Sequence, residues 1–163
     1  MSFSQKIAKS TRVAFFASCC DHCPRCGSAL PLSFEKPPPF YRPWKMDGPK
    51  AVVQYVNSLA EELREWLLVF FVDDELSLLA AETVGRGSVS DVKVDFAGIM
   101  RCGQMLSAAG IILVHNHPSG DPQPSSIDVK VTRRMAQISR EMEIPLLDHF
   151  VIARNGMQRI GGW

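Results

Sequence analysis

The sequence predicts an α/β domain in which a mixed β-sheet lies between helices, giving three layers. Segments with apolar residues at helical spacing alternate along the chain with short, continuous apolar runs of strand length. Two of these runs, over residues 67–72 and 111–114, are apolar at every position, as expected for strands buried on both faces. The pair Asn155-Gly156 is a strong signal for a two-residue hairpin. Together these features indicate a sheet with both parallel and antiparallel neighbours.

The first half of the predicted domain contains one helix and three strands. In order, they are a helix with Val52, Val56, Leu59 and Leu63 on one face, strands over 67–72 and 76–83, and a strand around Val92 and Val94. Asp73-Asp74 is expected to turn the chain between the first two strands. Gly85 and Gly87 are expected to end the second strand, because glycine weakens a strand interior.

The second half is predicted to alternate helices with strands. In order, they are a helix with Phe96, Met100, Gly103 and Leu106 on one face, the strand 111–114, a helix with Val131, Met135, Ile138 and Met142 on one stripe, and a hairpin of strands 150–153 and 157–160. Ser125 is the predicted N-cap of the second helix, because its hydroxyl can accept from an amide of the first turn. Pro145 follows that helix.

The chain divides by composition into three parts. Residues 1–35 form a Cys-rich N-terminal segment, residues 36–49 form a Pro-rich linker, and residues 50–163 form the main domain. The first fifty residues hold eight Lys/Arg against three Asp/Glu, whereas the remainder holds ten against fourteen. The main domain is therefore mildly acidic, which argues against a broad phosphate-binding face. Any contact with nucleic acid is expected from the N-terminal segment.

Four of the five cysteines, Cys19, Cys20, Cys23 and Cys26, crowd into eight residues. Their spacing suits a zinc site, although no second, separated ligand pair is visible. Cys23 and Cys26 also have the spacing of a redox dithiol without its βαβ context, and a tail with exposed thiols is the third interpretation. A secreted disulfide framework would spread its cysteines, so a cytoplasmic protein is expected. No run of about 18 apolar residues predicts a membrane span.

The segment from His115 to Asp128 carries the strongest chemical signal. It begins where the run 111–114 ends, and residues two apart on a strand face the same side, so His115 and His117 can reach one point. A Gly/Pro-rich loop can then return Asp128, in the first turn of the next helix, toward both imidazoles. Two imidazoles and a carboxylate, with one position left open, are the ligands that a catalytic zinc needs. Taken singly, each histidine would be a core residue, and Asp128 would face Ser125 as part of a helix cap.

This segment resembles the JAMM signature, which is His-x-His-Pro, six residues, Ser, two residues and Asp. The matching residues are His115, His117, Pro118, Ser125 and Asp128. The sequences of 112–120 and 146–150 are similar to the RadC-like branch of that family, and the similarity extends over about 52–160. The resemblance implies a cytidine-deaminase-like JAB/MPN fold, zinc as the cofactor, and a metallopeptidase that hydrolyses a peptide or isopeptide bond.

The resemblance also implies a glutamate that takes a proton from the zinc-bound water and lies at the start of a central strand. Glu65 fits this description, because it precedes the apolar stretch 66–72. Glu61 and Glu62 are rivals that are simply explained as the polar face of a helix. Glu82 is a third rival, otherwise explained as a charge at a strand end.

Ser125 is implied to help hold the tetrahedral oxyanion, in addition to capping its helix. Asp148 and His149 match a RadC motif but are not ligands in the JAMM scheme. They are expected either to support the ligands from behind or to serve the fold.

Two departures from the family concern partners rather than the metal. Val94-Asp95-Phe96 stands where RadC-like proteins commonly have Pro-Arg-Glu, and nothing in residues 1–49 resembles their helix-hairpin-helix domain. The alternative function is therefore kept open: an accessory module for DNA repair or a protein partner, with little turnover. A nucleobase deaminase is disfavoured, because no His-x-Glu occurs in the chain.

Overall fold

The computed structural model describes residues 44–56, 58–86 and 94–163, which form one mixed sheet with helices on both faces. The elements are α1 (Pro49–Tyr55), a short 3₁₀ helix (Leu59–Glu61), β1 (Trp66–Val72), β2 (Leu78–Arg86), α2 (Phe96–Met105), β3 (Gly110–Asn116), α3 (Ser126–Glu141), β4 (Leu146–Ala153) and β5 (Gly156–Arg159). The sheet has five strands in the order β2-β1-β3-β4-β5.

The pairing is antiparallel except at one place. Strand β1 is antiparallel to both β2 and β3, β3 is parallel to β4, and β4 and β5 form an antiparallel hairpin. The parallel pair is connected through α3, as a parallel connection requires. The predicted mixed sheet between helices is confirmed, and the architecture agrees with a JAB/MPN fold.

The two faces of the sheet bury separate apolar clusters. Alternate residues of the central strands, such as Phe70 and Val114, pack with Val52 of α1 on one face. The intervening residues, such as Phe71, pack with α2 and with Met135 of α3 on the other face. Because β1 and β3 are apolar at almost every position, both faces can be covered, and this fixes the three layers.

The chain between α1 and β1 differs from the predicted continuous helix. Helix α1 ends at Tyr55, and Leu63 is 88% exposed rather than part of the apolar face. After Val56 the backbone bonds tighten to the i−3 pattern of a 3₁₀ helix, as where the Leu59 amide donates to the carbonyl oxygen of Val56 at 2.8 Å. The Asn116 amide of β3 donates to the carbonyl oxygens of Glu62 (3.3 Å) and Arg64 (3.0 Å), and so holds the segment before β1 against the end of β3.

Two further predictions of local structure need correction. Strand β2 continues through Gly85 to Arg86, because pairing with β1 outweighs the low strand preference of glycine. Of the predicted third strand, Val92 lies outside the described residues and Val94 is not in a strand.

The hairpin at the end of the sheet is confirmed, but its turn is shifted by one residue. Ala153 pairs with Gly156, so Arg154 and Asn155 form the turn. Gly156 has a φ of 140°, a conformation that side chains other than glycine rarely adopt. The glycine is therefore required at the first position of β5 rather than inside the turn.

Residues 44–48 pack onto the sheet although they belong to the Pro-rich segment. Met46 is only 2% exposed, and its amide donates to the carbonyl oxygen of Leu76 at 2.8 Å. Residues 1–43, including the four clustered cysteines, lie outside the described part of the chain. Among the described residues, no helix combines the length and apolarity needed to cross a membrane.

Candidate metal centre

The three predicted ligands converge at the end of β3. His115 is the penultimate residue of β3, His117 follows the strand, and Asp128 lies in the first turn of α3. The Nε2 atoms of His115 and His117 are 3.0 Å apart. The Asp128 carboxylate places Oδ1 3.3 Å from His115 Nε2 and Oδ2 3.4 Å from His117 Nε2. One ligand atom from each residue thus faces the same small space.

A capping box holds the Asp128 carboxylate in place. The Ser125 amide donates to Asp128 Oδ2 at 2.6 Å, and the Asp128 amide donates to Ser125 Oγ at 3.2 Å. These two bonds satisfy amides at the start of α3 that have no helical partner. The same bonds aim the carboxylate back at the histidines, so the cap and the candidate ligand are one structure.

The loop between the histidines and α3 supports the second imidazole. His117 Nδ1 lies 2.9 Å from the carbonyl oxygen of Asp121. A carbonyl oxygen can only accept, so Nδ1 carries the hydrogen and the neutral ring has its lone pair on Nε2. Gly120 has a φ of 87° in this loop, and its carbonyl oxygen accepts from the Asn155 amide at 3.3 Å. The β4–β5 turn therefore anchors the loop.

The donor set fits a divalent cation. Imidazole nitrogens and a carboxylate are both ligands that zinc accepts. Burial raises the pKa of Asp128, but its contact with His115 and its hydrogen bonds with Ser125 outweigh it and hold the pKa well below its ordinary value. The carboxylate is therefore charged, and a cation between it and the two imidazoles would relieve the crowding of their electron pairs.

His149 lies directly behind His115. It is 1% exposed, and its Nε2 is 2.9 Å from His115 Nδ1. Burial lowers the pKa of His149 well below its ordinary value; the neighbouring His115 ring adds to this, and the carboxylate of Asp128 opposes it. His149 is therefore neutral and does not face the converging ligand atoms. Its neighbour Asp148 instead accepts from Arg159 Nε at 2.6 Å, which places it in the β4–β5 hairpin.

Comparison with known proteins agrees with this geometry. The family model of the RadC-like JAB domain matches residues 46–159. The chain belongs to the RadC-like JAB domain family. Among curated proteins, it is 33% identical over 122 residues to a UPF0758 protein of Acidithiobacillus ferrooxidans. The aligned region covers 72% of this chain and 54% of that protein.

Two further UPF0758 proteins are similar to this RadC-like domain over about half of their own length. The protein of Stenotrophomonas maltophilia is 36% identical over 107 residues, covering 65% of this chain and 46% of the relative. The protein of Bordetella avium is 36% identical over 111 residues, covering 68% of this chain and 49% of the relative. The chain thus spans about half the length of these relatives.

The predicted base of this RadC-like domain, Glu65, lies just before the strand that pairs with the end of β3. Glu65 immediately precedes β1, in which Leu67 pairs with His115. Continuing this antiparallel register by two residues places Glu65 opposite His117. Residues two apart share a face, so Glu65 occupies a register position on the same side of the sheet as His115. Its side chain is partly buried.

Sequence reasoning assigned no role to Asn116, which the structure places between the ligands and the segment before β1. It is fully buried, and its Oδ1 accepts from the Trp66 amide at 2.8 Å. It alternates with His115 and His117, so it faces the opposite side of the sheet. Asn116 therefore anchors the chain beside Glu65. The sequence signal for this role was a polar residue that stands between two candidate ligands at the end of a strand.

The rival Glu82 belongs to a different part of the domain. It lies on β2, two strands from β3, and lines a cavity of about 150 Å³ with residues of α2. Its carboxylate oxygens are 3.7 and 3.8 Å from Cys102 Sγ. Burial raises the pKa of Glu82 to about 7. It is not part of the cluster of candidate ligands.

The raised pKa of Glu82 predicts a pH-dependent gain of stability in Glu82→Gln. Because the folded pKa is about 7 and the ordinary value is 4.5, the native state favours the protonated form, and stability is lost as the pH rises from 4.5 through 7. Glutamine stays neutral, so the variant should match the wild type at pH 5 and exceed it at pH 8. Partial exposure limits the gain to about 1 kcal/mol.

Urea unfolding of both proteins between pH 5 and pH 8 measures this difference. The exposed Glu61→Gln is the matched control and should leave the pH dependence unchanged. Parallel curves for Glu82→Gln and the wild type across this range would contradict the prediction.

Proposed function

We propose that this RadC-like domain is a zinc-dependent metallopeptidase that hydrolyses peptide or isopeptide bonds. The observation that carries the proposal is the convergence of His115, His117 and Asp128, with all three ligand atoms within 4.8 Å of one another. When bound, zinc lowers the pKa of a water molecule to about 7 and polarises the substrate carbonyl. Two nitrogen ligands and one carboxylate leave a coordination position for these reactants.

Glu65 is proposed as the general base. The register of β1 against β3, in which Leu67 pairs with His115, supports this role, because extending it by two residues would set Glu65 opposite His117 and on the face of the candidate ligands. The Asn116 side chain holds the neighbouring backbone at Trp66 and Arg64, so the carboxylate starts from a fixed position. Glu65 would accept a proton from the attacking water and pass it to the leaving amine.

Ser125 is proposed to steady the oxyanion of the tetrahedral intermediate. Its Oγ accepts from the Asp128 amide, which leaves the hydroxyl hydrogen available for donation to another group. The residue is exposed beside the buried carboxylate of Asp128, so a substrate can approach it. One side chain can therefore cap α3 and donate to developing charge.

The substrate class and the cellular location are proposed from the composition of the chain. The acidic balance of residues 51–163 favours a peptide over a nucleic acid. The crowding of four cysteines in residues 19–26 supports a reducing, cytoplasmic location. A DNA-associated or protein-associated accessory module with little turnover is the competing function, and turnover distinguishes the two.

The test is hydrolysis of a library of peptides and lysine-linked isopeptides by the zinc-loaded full chain. The release of new amino groups should be detected, should stop after chelation of the metal and should resume when Zn²⁺ is added. His117→Ala should be inactive under the same conditions. A folded, zinc-bound protein that cleaves no member of the library would favour the accessory module over the enzyme.

A further inference from the structure

A buried row of hydrogen-bonding groups connects the candidate metal site to α3. His115 Nδ1 lies 2.9 Å from His149 Nε2, and His149 Nδ1 lies 2.7 Å from Thr132 Oγ1. Thr132 Oγ1 in turn lies 2.5 Å from the carbonyl oxygen of Asp128. Thr132 is fully buried, and His115 and His149 are each 1% exposed, so water does not compete for these contacts. The row therefore starts at one candidate ligand and ends on the backbone of another.

The hydrogens along this row can point in only one direction. A carbonyl oxygen has no hydrogen, so the short contact between Asp128 and Thr132 requires the Thr132 hydroxyl to donate. With its single hydrogen used, Thr132 Oγ1 can only accept from His149 Nδ1. His149 is 1% exposed, and its two ring nitrogens contact Thr132 and His115 rather than a carboxylate, so an unpaired charge there would be costly and the ring is neutral. Its lone pair is then on Nε2, where it can only accept from His115 Nδ1.

We infer that His149 and Thr132 are positioning residues that fix the tautomer of His115, so that its Nε2 is left without a hydrogen facing the metal. The inference rests on the proposed metal site but not on hydrolysis. Metal-bound histidines are usually held by a carboxylate, a backbone carbonyl or water at the other ring nitrogen. Here the acceptor is a second histidine, whose own tautomer is set by a helix hydroxyl and the Asp128 carbonyl.

The position of Thr132 on α3 couples the hydrogen-bond row to the candidate ligand Asp128. Thr132 is four residues after Asp128 on α3, so both lie on the same side of the helix. A shift of α3 would therefore move the Asp128 carboxylate and the hydrogen-bond row behind His115 together. The two ligands are coupled through the helix, which favours a single geometry for the site.

Substitutions at Thr132 test this inference through zinc affinity. Thr132→Val removes the hydroxyl while keeping the branched shape, and it should weaken Zn²⁺ binding by about 10- to 100-fold, as for other groups that orient a ligand. Thr132→Ser keeps the hydroxyl and should bind Zn²⁺ within about threefold of the wild type, below the range expected when an orienting group is lost. Competition with a chromophoric chelator measures both, in full-length chains whose Cys19, Cys20, Cys23 and Cys26 are serine.

A spectroscopic measurement on the unmutated site tests the inference even if a Thr132 variant fails to fold. In zinc-loaded protein with ¹⁵N-labelled histidine, nuclear magnetic resonance should show His149 and His115 with hydrogen on Nδ1. His149 with hydrogen on Nε2 would overturn the inference, as would wild-type affinity in a folded Thr132→Val. If zinc binds with these tautomers but no substrate is cleaved, the proposed hydrolysis fails while this inference stands.

Discussion

Asp128→Asn is expected to lower the affinity of the main domain for Zn²⁺ by more than about 100-fold. Loss of a group that only supports a ligand costs up to about 100-fold, and loss of a ligand itself should cost more. The carboxylate supplies the only formal negative charge among the three converging groups, and a neutral amide is a poorer ligand. The amide oxygen can still accept from Ser125, so much of the capping box should persist. Competition titration of the full chain with its N-terminal cysteines replaced by serine measures the loss.

The matched control for Asp128→Asn is Asp95→Asn at the start of α2. Asp95 is also an aspartate at a helix N-terminus, and its Oδ1 accepts from the Gly98 amide at 2.9 Å. This change also removes a charge that favours the helix dipole, at a cost of about 0.3 to 1 kcal/mol. It should leave zinc affinity unchanged. Equal affinities in Asp128→Asn and the wild type would remove Asp128 from the ligand set.

Glu65→Gln is expected to reduce turnover by at least about 100-fold while zinc content stays near that of the wild type. Glutamine keeps the size and hydrogen-bonding shape of the side chain but cannot accept the proton. Zinc should be retained because Glu65 is not one of the three converging groups. The comparison requires a substrate from the peptide and isopeptide library, with turnover and metal content measured on the same preparation.

Glu61→Gln serves as the control, because Glu61 is exposed in the short 3₁₀ helix just before Glu65. It should keep full turnover and full zinc content. Full activity in Glu65→Gln would exclude Glu65 as the base. Loss of zinc from Glu65→Gln, with zinc kept by Asp128→Asn, would show that the ligand assignment is wrong.

Local sequence patterns determined the main features of the fold and of the candidate metal cluster. The apolar runs of β1 and β3 specified buried strands, because a strand covered on both faces has no polar side. The spacing of His115 and His117 specified a shared face, because side chains alternate along a strand. Ser125 and Asp128 specified a helix start by their capping chemistry, which acts over three residues.

Only the tertiary structure decided features that depend on distant partners. The anchoring of the segment before β1 depends on Asn116, which is 54 residues from Glu62 in the chain. The extension of β2 through Gly85 depends on pairing with β1, and that pairing outweighs the intrinsic preference of glycine. The turn at Arg154 and Asn155 was set by the register of the whole hairpin rather than by the Asn-Gly pair.

The hydrogen-bond row behind the candidate ligand His115 was also decided only by the tertiary structure. The sequence singled out His149 by its motif but left open whether it supports the ligands or serves the fold, and no sequence pattern singled out Thr132. They meet because β3 and β4 are parallel neighbours that pair Leu113 with His149, and because α3 crosses over them. Hydrogen bonds act over about 3 Å, so the direction of the protons behind His115 is determined only once the fold brings these groups together.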